Sequence, residues 1–569
     1  MDRRGLVRIG ALSALILFLE MLLVRWIGTE LRVFAYLQNS VLVAAFLGLG
    51  AGCNTSSSPI RCLPAATALA GIALVIRDPF GWAIAEALSQ GLVVFQDSLI
   101  WGAVNLSSGH DVAYLKTALL TFSVMGTLLL LYAVAVSFHP LGRALGRWMD
   151  LHPRPIAAYT ANVLGSLVGL VLFDAATVLA TPPWVWLLAA GIGFAVAALH
   201  GDDGRPALVG SIVLFLVLPV LGTGRTAGRV VWSPYQKLSV EPFAGRSAAG
   251  PGTVPCGQLV LVNNVGYQGI FEMDPAKMAR RPDVYPPDQI RMSHYLLPYA
   301  MVGQRDHVLV VGAGVGNDVT AALQSGARRV QAVEIDPGLV ELGRQLHPDA
   351  PYASPAVSVA IDDARAFFRR DTGPYDLVWF GLLDSHTTPS AYTNVRLDHF
   401  VYTQESLGDV KRLLKPDGVL VLFFEPQASW IAERLLGMVR ETFGADPLMM
   451  MVRPPTECLG FGGLLIVGGS APVLDAVRTR VRADPATRRL LGEYEAGSIR
   501  TRPTTDDWPY LYLERPSIPR YHLTVAALCL VLALAFRRSL LPRPSPAGEA
   551  PPGPADASPS GGLDLMMLL

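Results

Sequence analysis

The feature that most constrains this chain is where its apolar runs fall. Seven of them lie in the first 225 of 569 residues: 9–27, 36–52, 63–76, 112–138, 156–173, 183–199 and 207–221. A helix that spans a bilayer needs roughly 20 mostly apolar residues, so these runs read as about seven spans, with 63–76 the shortest. The stretch 79–104 is apolar too but carries Glu86, Gln90, Gln96 and Asp97, and reads as an interfacial or re-entrant helix. A last run, 521–536, is closed by Arg537 and Arg538. The Pro-, Ser- and Gly-rich residues after it cannot bury enough apolar surface to fold and read as a disordered tail.

Composition matters here because it must be divided. The chain is 51% hydrophobic and 16% charged, against about 25% charged in an ordinary soluble domain. Its 46 basic and 46 acidic residues leave no basic excess, which argues against a nucleic-acid partner. The five cysteines, none in CxxC spacing, exclude a disulfide scaffold. The expected division is a transmembrane bundle over 1–225, a small β-hairpin subdomain over 226–290, a Rossmann-like domain over 291–520, a closing span over 521–536 and the tail over 537–569.

Within the bundle, Glu20, Asn162 and Asp174 are polar residues in apolar runs. A carboxylate at bilayer depth is costly unless paired. The Gly165/Gly169 pair and the stripe Gly48, Gly50, Gly52 are read as small residues that let helices pack closely.

Residues 226–520 have ordinary polarity. Lys237–Glu241 and Gln258–Val262 alternate as strands of a hairpin. Then strand and helix alternate: a buried-strand run at Val308–Val311, the loop Gly312-Ala-Gly-Val-Gly316, a helix over 319–324, and strands at 330–333, 357–361, 376–380 and 418–424. This is a doubly wound α/β order, in which ligands bind at the carboxyl ends of the strands. A glycine loop alone says only that a ligand approaches the backbone where a helix begins. Glu334, about twenty residues past the loop, is placed to accept both ribose hydroxyls. Asp362 and Asp363 end the third strand, where Asp362 can meet an adenine amine. A glycine loop with acids ending the second and third strands suits S-adenosylmethionine better than a dinucleotide.

These pieces, with Ser233-Pro-Tyr-Gln236, Val265-Gly-Tyr-Gln268, His294, Phe380-Gly-Leu-Leu-Asp-Ser-His386, Val401-Tyr-Thr403 and Thr505-Asp-Asp-Trp-Pro509, give the chain a resemblance. Residues 230–450 resemble the spermidine synthase (polyamine aminopropyltransferase) family, and 1–540 resemble its membrane-embedded bacterial relatives. The resemblance implies a class I methyltransferase-type fold behind a small β domain. It also implies a sulfonium co-substrate, S-adenosylmethionine or its decarboxylated form, with no metal. By position, Gln236, Gly312, Gly314 and Gly316 would line the nucleoside, Glu334 the ribose, and Asp362 with Asp363 the adenine.

The departures are chemical. The family loop reads GGGDGG, and its Asp position is Val315 here. The catalytic strand ends D-S-x-D in the family, and its first Asp falls on Gly381. Asp384 is kept. Polyamine acceptors are cations that a carboxylate-lined groove binds and helps to deprotonate. Losing two carboxylates weakens the case for a free diamine. Asp384, Ser385 and His386 form a replacement set at the expected reaction position, with His294, Tyr267, Gln268 and Asp398 expected to face the substrate. The catalytic expectation rests on Asp384, His386 and His294. Thr505–Pro509 is expected to dock the domain on the bundle.

The functional expectation is a membrane-bound transferase that alkylates an amine or a membrane-associated acceptor. The alternatives are a methyltransferase acting on a lipid, quinone or peptide, and a nucleotide-sensing transporter without catalysis. Expected partners are the lipid bilayer and a small amine or lipid acceptor, with a homodimer left open. The location is a cell membrane, spanned several times. Arg3, Arg4, Arg8, Arg61, Arg143, Arg147, Arg154 and Arg205 crowd alternate loops. By the positive-inside rule this puts the α/β domain outside the cytoplasm. A nucleoside made in the cytoplasm argues for the inward side, towards which the motif tips the balance. A disulfide between Cys256 and Cys458 would favour an oxidising compartment.

Overall fold

The computed structural model describes residues 2–31, 37–77, 110–221, 228–247, 250–287, 290–303, 305–383, 399–426, 428–454, 456–492 and 501–537, with a few single positions besides. The stretch 79–104 lies almost wholly outside the described residues, as do 384–398 and the tail beyond Arg537. The chain forms two units. One comprises 1–96, 100–225 and 518–569, and the other essentially 226–517.

The first unit is helical: α1 (Asp2–Glu30), α2 (Gln38–Cys53), α3 (Leu63–Ile76), α4 (His110–Asp150), α5 (Pro155–Val178), α6 (Pro183–Ala198), α7 (Arg205–Leu221) and α8 (Arg520–Ala535). Three of these helices, within α1, α4 and α5, are long and apolar enough to cross a membrane. The other five have 14 to 17 residues. At about 1.5 Å rise per residue they fall short of a hydrocarbon core about 30 Å thick. An apolar run therefore does not measure its helix. α4 continues past Phe138 over Pro140 to Asp150, so Arg143 and Arg147 lie on a helix and not in a loop. Their guanidinium groups bind the turn after α2. Arg143 donates to Pro59 O at 2.9 Å, and Arg147 to Ser58 O at 2.6 Å and to Asp202 at 3.0 Å.

Close helix packing follows the small residues. α1 lies along α5 and α2 along α4. A methyl group at Gly165 would overlap the backbone of Gly10, and one at Gly169 the backbone of Ala14. Gly48 and Gly52 meet Ala135 and His139 in the same way, while Gly50 has open space. The stripe is therefore a pair spaced by four, one helical face, with Gly50 turned elsewhere. Ser13 donates to Asn162 at 2.7 Å between α1 and α5. Glu20 is buried at 2% exposure, and Asp174 is exposed.

In the second unit, four antiparallel strands, β1 (Arg229–Trp232), β2 (Lys237–Arg246), β3 (Thr253–Val262) and β4 (Val265–Phe271), form a small sheet in that order. The hairpin expected from the sequence is its central pair. Asn263 and Asn264 both take positive φ, which a two-residue hairpin turn requires and Asn tolerates. The large sheet contains β5 (His307–Val311), β6 (Arg329–Glu334), β7 (Val357–Ile361), β8 (Tyr375–Phe380), β9 (Leu414–Phe424), β10 (Leu448–Val452), β11 (Gly463–Gly468) and β12 (Leu491–Gly492). Its order is β12-β10-β11-β9-β8-β5-β6-β7, with β5 to β9 parallel and β11 antiparallel to β9.

Both faces of this sheet are covered. Val308, Val310, Leu377 and Trp379 enter one core, and the alternate residues Leu309, Val311, Val378 and Phe380 enter the other. Burial on both sides is why these strands read as unbroken apolar runs. The order reverses between β5 and β8, which opens a crevice at their carboxyl ends.

The segment around Thr505–Pro509 was expected to dock on the bundle. The partners recorded for it lie in the α/β domain. Asp506 pairs with Arg365 at 2.7 Å and accepts from Thr403 at 2.8 Å, and Trp508 lies 5.1 Å from the Arg434 guanidinium. Arg434, 1% exposed, donates to the carbonyls of Arg502, Leu511 and Glu514. A disulfide joins Cys256 of β3 to Cys458, 202 residues on, with Cα atoms 5.5 Å apart.

Candidate active site

The glycine loop leaves β5 with Gly312, Gly314 and Gly316 all at positive φ, a backbone that residues with a Cβ rarely adopt. It then turns into the helix Asn317–Gln324. The loop is held from two directions. Glu334, at the end of β6, accepts from Gly314 N at 2.8 Å and from Asp336 N at 2.9 Å. Tyr352 donates to Gly314 O at 2.7 Å. Burial pushes the Glu334 carboxyl up to about 7, against the backbone donors that pull it down.

Asp336 fastens the small sheet to this loop. Fully buried, it accepts from Ser233 Oγ at 2.8 Å and Gln236 Nε2 at 2.9 Å, and it caps the helix Pro337–Leu346 through Gly338 N. Asn317 makes a second bridge. It donates to Gly269 O at 2.7 Å and to the Tyr295 hydroxyl at 2.9 Å, and accepts from Phe271 N at 3.3 Å.

One cleft collects most of the residues expected at the nucleoside. Gln236, Tyr267, Gly312, Glu334, Asp362 and Asp363 all line it, with Leu383 and Val401 closing one side. Asp363 caps the helix Ala364–Arg370 by accepting from Ala366 N at 2.9 Å, and Asp362 is ion-paired with Arg370. Gln268 lies over the loop: its side-chain oxygen is 3.4 Å from Val315 N, and its buried amide nitrogen has no hydrogen-bond partner among the described residues. Carboxylates of Glu334, Asp362 and Asp363 therefore border a space suited to hydroxyl and amino donors.

His294 stands elsewhere. It stacks on Phe423 with centroids 4.5 Å apart and accepts from Phe461 N at 3.1 Å. Burial lowers it to about 3, so it is a neutral acceptor inside an aromatic core. Asp384, His386 and Asp398 fall outside the described residues.

A carboxylate that the sequence reading passed over lies at the crevice. Asp318, in the first turn after the loop, points toward the end of β8. A methyl group at Gly381 would lie 2.9 Å from Asp318 Oδ2. Burial raises this carboxyl to about 7, with the Trp379 indole opposing. Its signal was available: an acid in the buried first turn of a loop helix, three residues past the position where the related loop has its own Asp.

The sheet order and the glycine loop define a Rossmann-type α/β domain of the methyltransferase kind. Residues 292–444 match the family described as the spermine/spermidine synthase domain, a spermidine synthase-like likeness over that part of the chain. The chain is similar to polyamine aminopropyltransferase 1 of Streptomyces coelicolor, with 28% identity over 204 residues, 34% of this chain and 36% of that protein. It is also similar to the polyamine aminopropyltransferase of Thermoplasma volcanium, with 28% identity over 145 residues, 24% of this chain and 50% of that protein. The match thus spans between about a third and a half of these relatives' length. Among solved structures, spermidine synthase from Thermotoga maritima aligns over 53% of this chain and 88% of its own, at 14% identity and a TM-score of 0.31.

Proposed function

We propose that the protein is a membrane-anchored transferase that moves an alkyl group from a sulfonium nucleoside to an amine. In the aminopropyl form of this reaction, decarboxylated S-adenosylmethionine is the donor. The observation that carries the reading is that the stretch matching the synthase domain brings Gly312, Glu334 and Asp362 to one cleft, which Gln236 of the small sheet region joins. Gln236 and the loop would line the nucleoside, Glu334 the ribose, and Asp362 with Asp363 the adenine edge. Tyr267 and Gln268 would border the acceptor. Positioning supplies most of the acceleration for such an in-line displacement.

The replacement of the first catalytic Asp by Gly381 keeps methyl transfer as the second reading. Titration calorimetry of the detergent-solubilised protein separates the two: tighter binding of decarboxylated S-adenosylmethionine supports aminopropyl transfer, and preference for S-adenosylmethionine supports methyl transfer. Binding of neither defeats both. Asp384→Asn is expected to abolish turnover with nucleotide affinity unchanged, and full activity in that variant removes Asp384 from the mechanism.

The first unit would anchor the domain, with α1, α4 and α5 crossing the membrane and the shorter helices completing a bundle of about seven spans. The Cys256–Cys458 disulfide supports an oxidising surrounding for the domain, in line with the arginine distribution and against the cytoplasmic side. A reporter active only outside the cytoplasm, fused after Arg225, decides this: a silent fusion returns the domain to the cytoplasm.

A further inference from the structure

Two acids of the related pattern are missing from this chain, and at one of those positions an unrelated acid stands close by. Gly381 ends β8 at the crevice, where the order of strands reverses. Its missing side chain makes room for the Asp318 carboxylate, which arrives from the helix after the loop and lies 2.9 Å from where a Cβ would stand. Two buried donors belong to its surroundings. The Trp379 indole opposes the rise in the Asp318 carboxyl, and the Tyr299 hydroxyl, 7% exposed, feels its charge and has no hydrogen-bond partner among the described residues. Asp318 itself retains some accessible surface. The Asp318 carboxylate thus lies beside Gly381, in the first turn after the loop that would hold the sulfonium nucleoside.

Resting on the transferase reading above, we propose that Asp318 receives the acceptor's ammonium group and acts as its base. The Asp318 carboxylate takes one proton from the ammonium nitrogen. The freed lone pair forms the new C–N bond at the carbon next to sulfur, and the C–S bonding pair leaves with the sulfur. The sulfonium becomes a neutral thioether, and its positive charge reappears on the product amine. A base is most effective with a pKa near the operating pH, and burial holds this carboxyl at about 7. The titratable groups that feel its charge are Tyr295 and Tyr299, from the segment before β5, and Tyr352. Burial raises all three phenols, so none of them titrates in the same window.

The test uses the solubilised full chain with decarboxylated S-adenosylmethionine and 1,4-diaminobutane. Wild type is expected to show an acid limb in kcat near pH 7. Asp318→Asn should lower kcat by about a hundredfold or more, abolish that limb and leave nucleoside affinity within about threefold. Gly381→Ala, which keeps the acid but crowds it, should lower kcat by about tenfold. Wild-type turnover in Asp318→Asn, or an unchanged limb, overturns the assignment and leaves the transferase reading intact. Should Asp318→Asn lose nucleoside binding through misfolding, undiminished kcat in Gly381→Ala overturns the assignment instead. A wild type that transfers nothing to an amine defeats the transferase reading, and this proposal with it, before any variant is made.

Discussion

Glycine does opposite work in the two units. Along α1 and α5, and along α2 and α4, it is the lack of a side chain that counts: Gly165, Gly169, Gly48 and Gly52 let one helix backbone touch another. In the α/β domain it is φ that counts, since Gly312, Gly314 and Gly316 hold a left-handed path around the cleft. The surroundings explain the contrast. α5 presents Leu164, Leu167, Val171 and Leu172 outward, each more than half exposed. In the membrane proposed for this unit, apolar side chains would gain little by leaving apolar surroundings, and helices would cohere through close backbone contact. The α/β domain instead draws stability from strands buried on both faces, and it tolerates buried Arg434 and Asp336 because each is hydrogen-bonded.

The contrast can be broken at single positions. The largest effect is expected from Gly169→Leu, whose side chain has only the Ala14 backbone to enter. Overpacking of this kind costs about 3 kcal/mol or more and should separate α1 from α5, seen as loss of monodisperse protein in detergent. A well-behaved Gly169→Leu protein would mean that the helices are not held by that contact.

The next effect concerns pH. Burial raises the folded-state pKa of Glu334 from 4.5 to about 7. The folded state therefore keeps a proton that the unfolded chain releases. That contribution is fully present below about pH 4.5 and is lost as pH rises through 7, by on the order of 3 kcal/mol. Buried His294 and His347, held neutral at pKa values near 3 and 4, tilt stability the other way. The measurement is therefore the difference between wild type and Glu334→Gln in denaturant midpoint at pH 5 and pH 8. A difference that does not change between the two values would show that Glu334 ionises normally in the folded state.

Smaller still, Gly314→Ala should cost about 1–2 kcal/mol from its positive φ and weaken nucleoside binding, because the added methyl meets Gln268. Least of all, Gly50→Ala should stabilise slightly, by up to about 1 kcal/mol, since nothing stands near it. Thermal midpoints of the two variants, compared side by side, show whether the two glycine roles divide as described.

Much of this was legible in the sequence, for physical reasons. β5 to β9 appear as apolar runs because both of their faces are buried, and the acids at the ends of β6 and β7 stand out against that background. β10 and β11 were passed over: Leu448-Met-Met-Met-Val452 and the glycine-flanked run at 463–468 follow the regular strand–helix alternation and return antiparallel. Helix ends in the first unit were misjudged because hydropathy stops where charge begins, while α4 carries its arginines onward to cap a neighbouring turn. Of the residues that line the cleft, those tied to motif positions, such as Gln236, Glu334 and Asp362, are named by the sequence. Asn317 is not, since its partners come from β4 and Tyr295, and Asp318 shows only as an acid beside the loop, without its neighbour at the end of β8. His294 is expected at the reaction centre because it is one of the residues that carry the family resemblance, yet burial against Phe423 and Phe461 keeps the ring from taking up a proton at neutral pH.

The Arg434 strap also fixes where the α/β domain can be cut free. A fragment ending near residue 444, where the recognisable family segment stops, would keep the guanidinium but lose the carbonyls of Arg502, Leu511 and Glu514. It would lose β11 and Asp506 as well, leaving Arg365 with Asp409 alone. A start at residue 292 would likewise strip Asp336 of Ser233 and Gln236. A stretch that keeps these bonds therefore begins before Arg229 and ends after Glu514, nearly twice the length of the segment that matches the family.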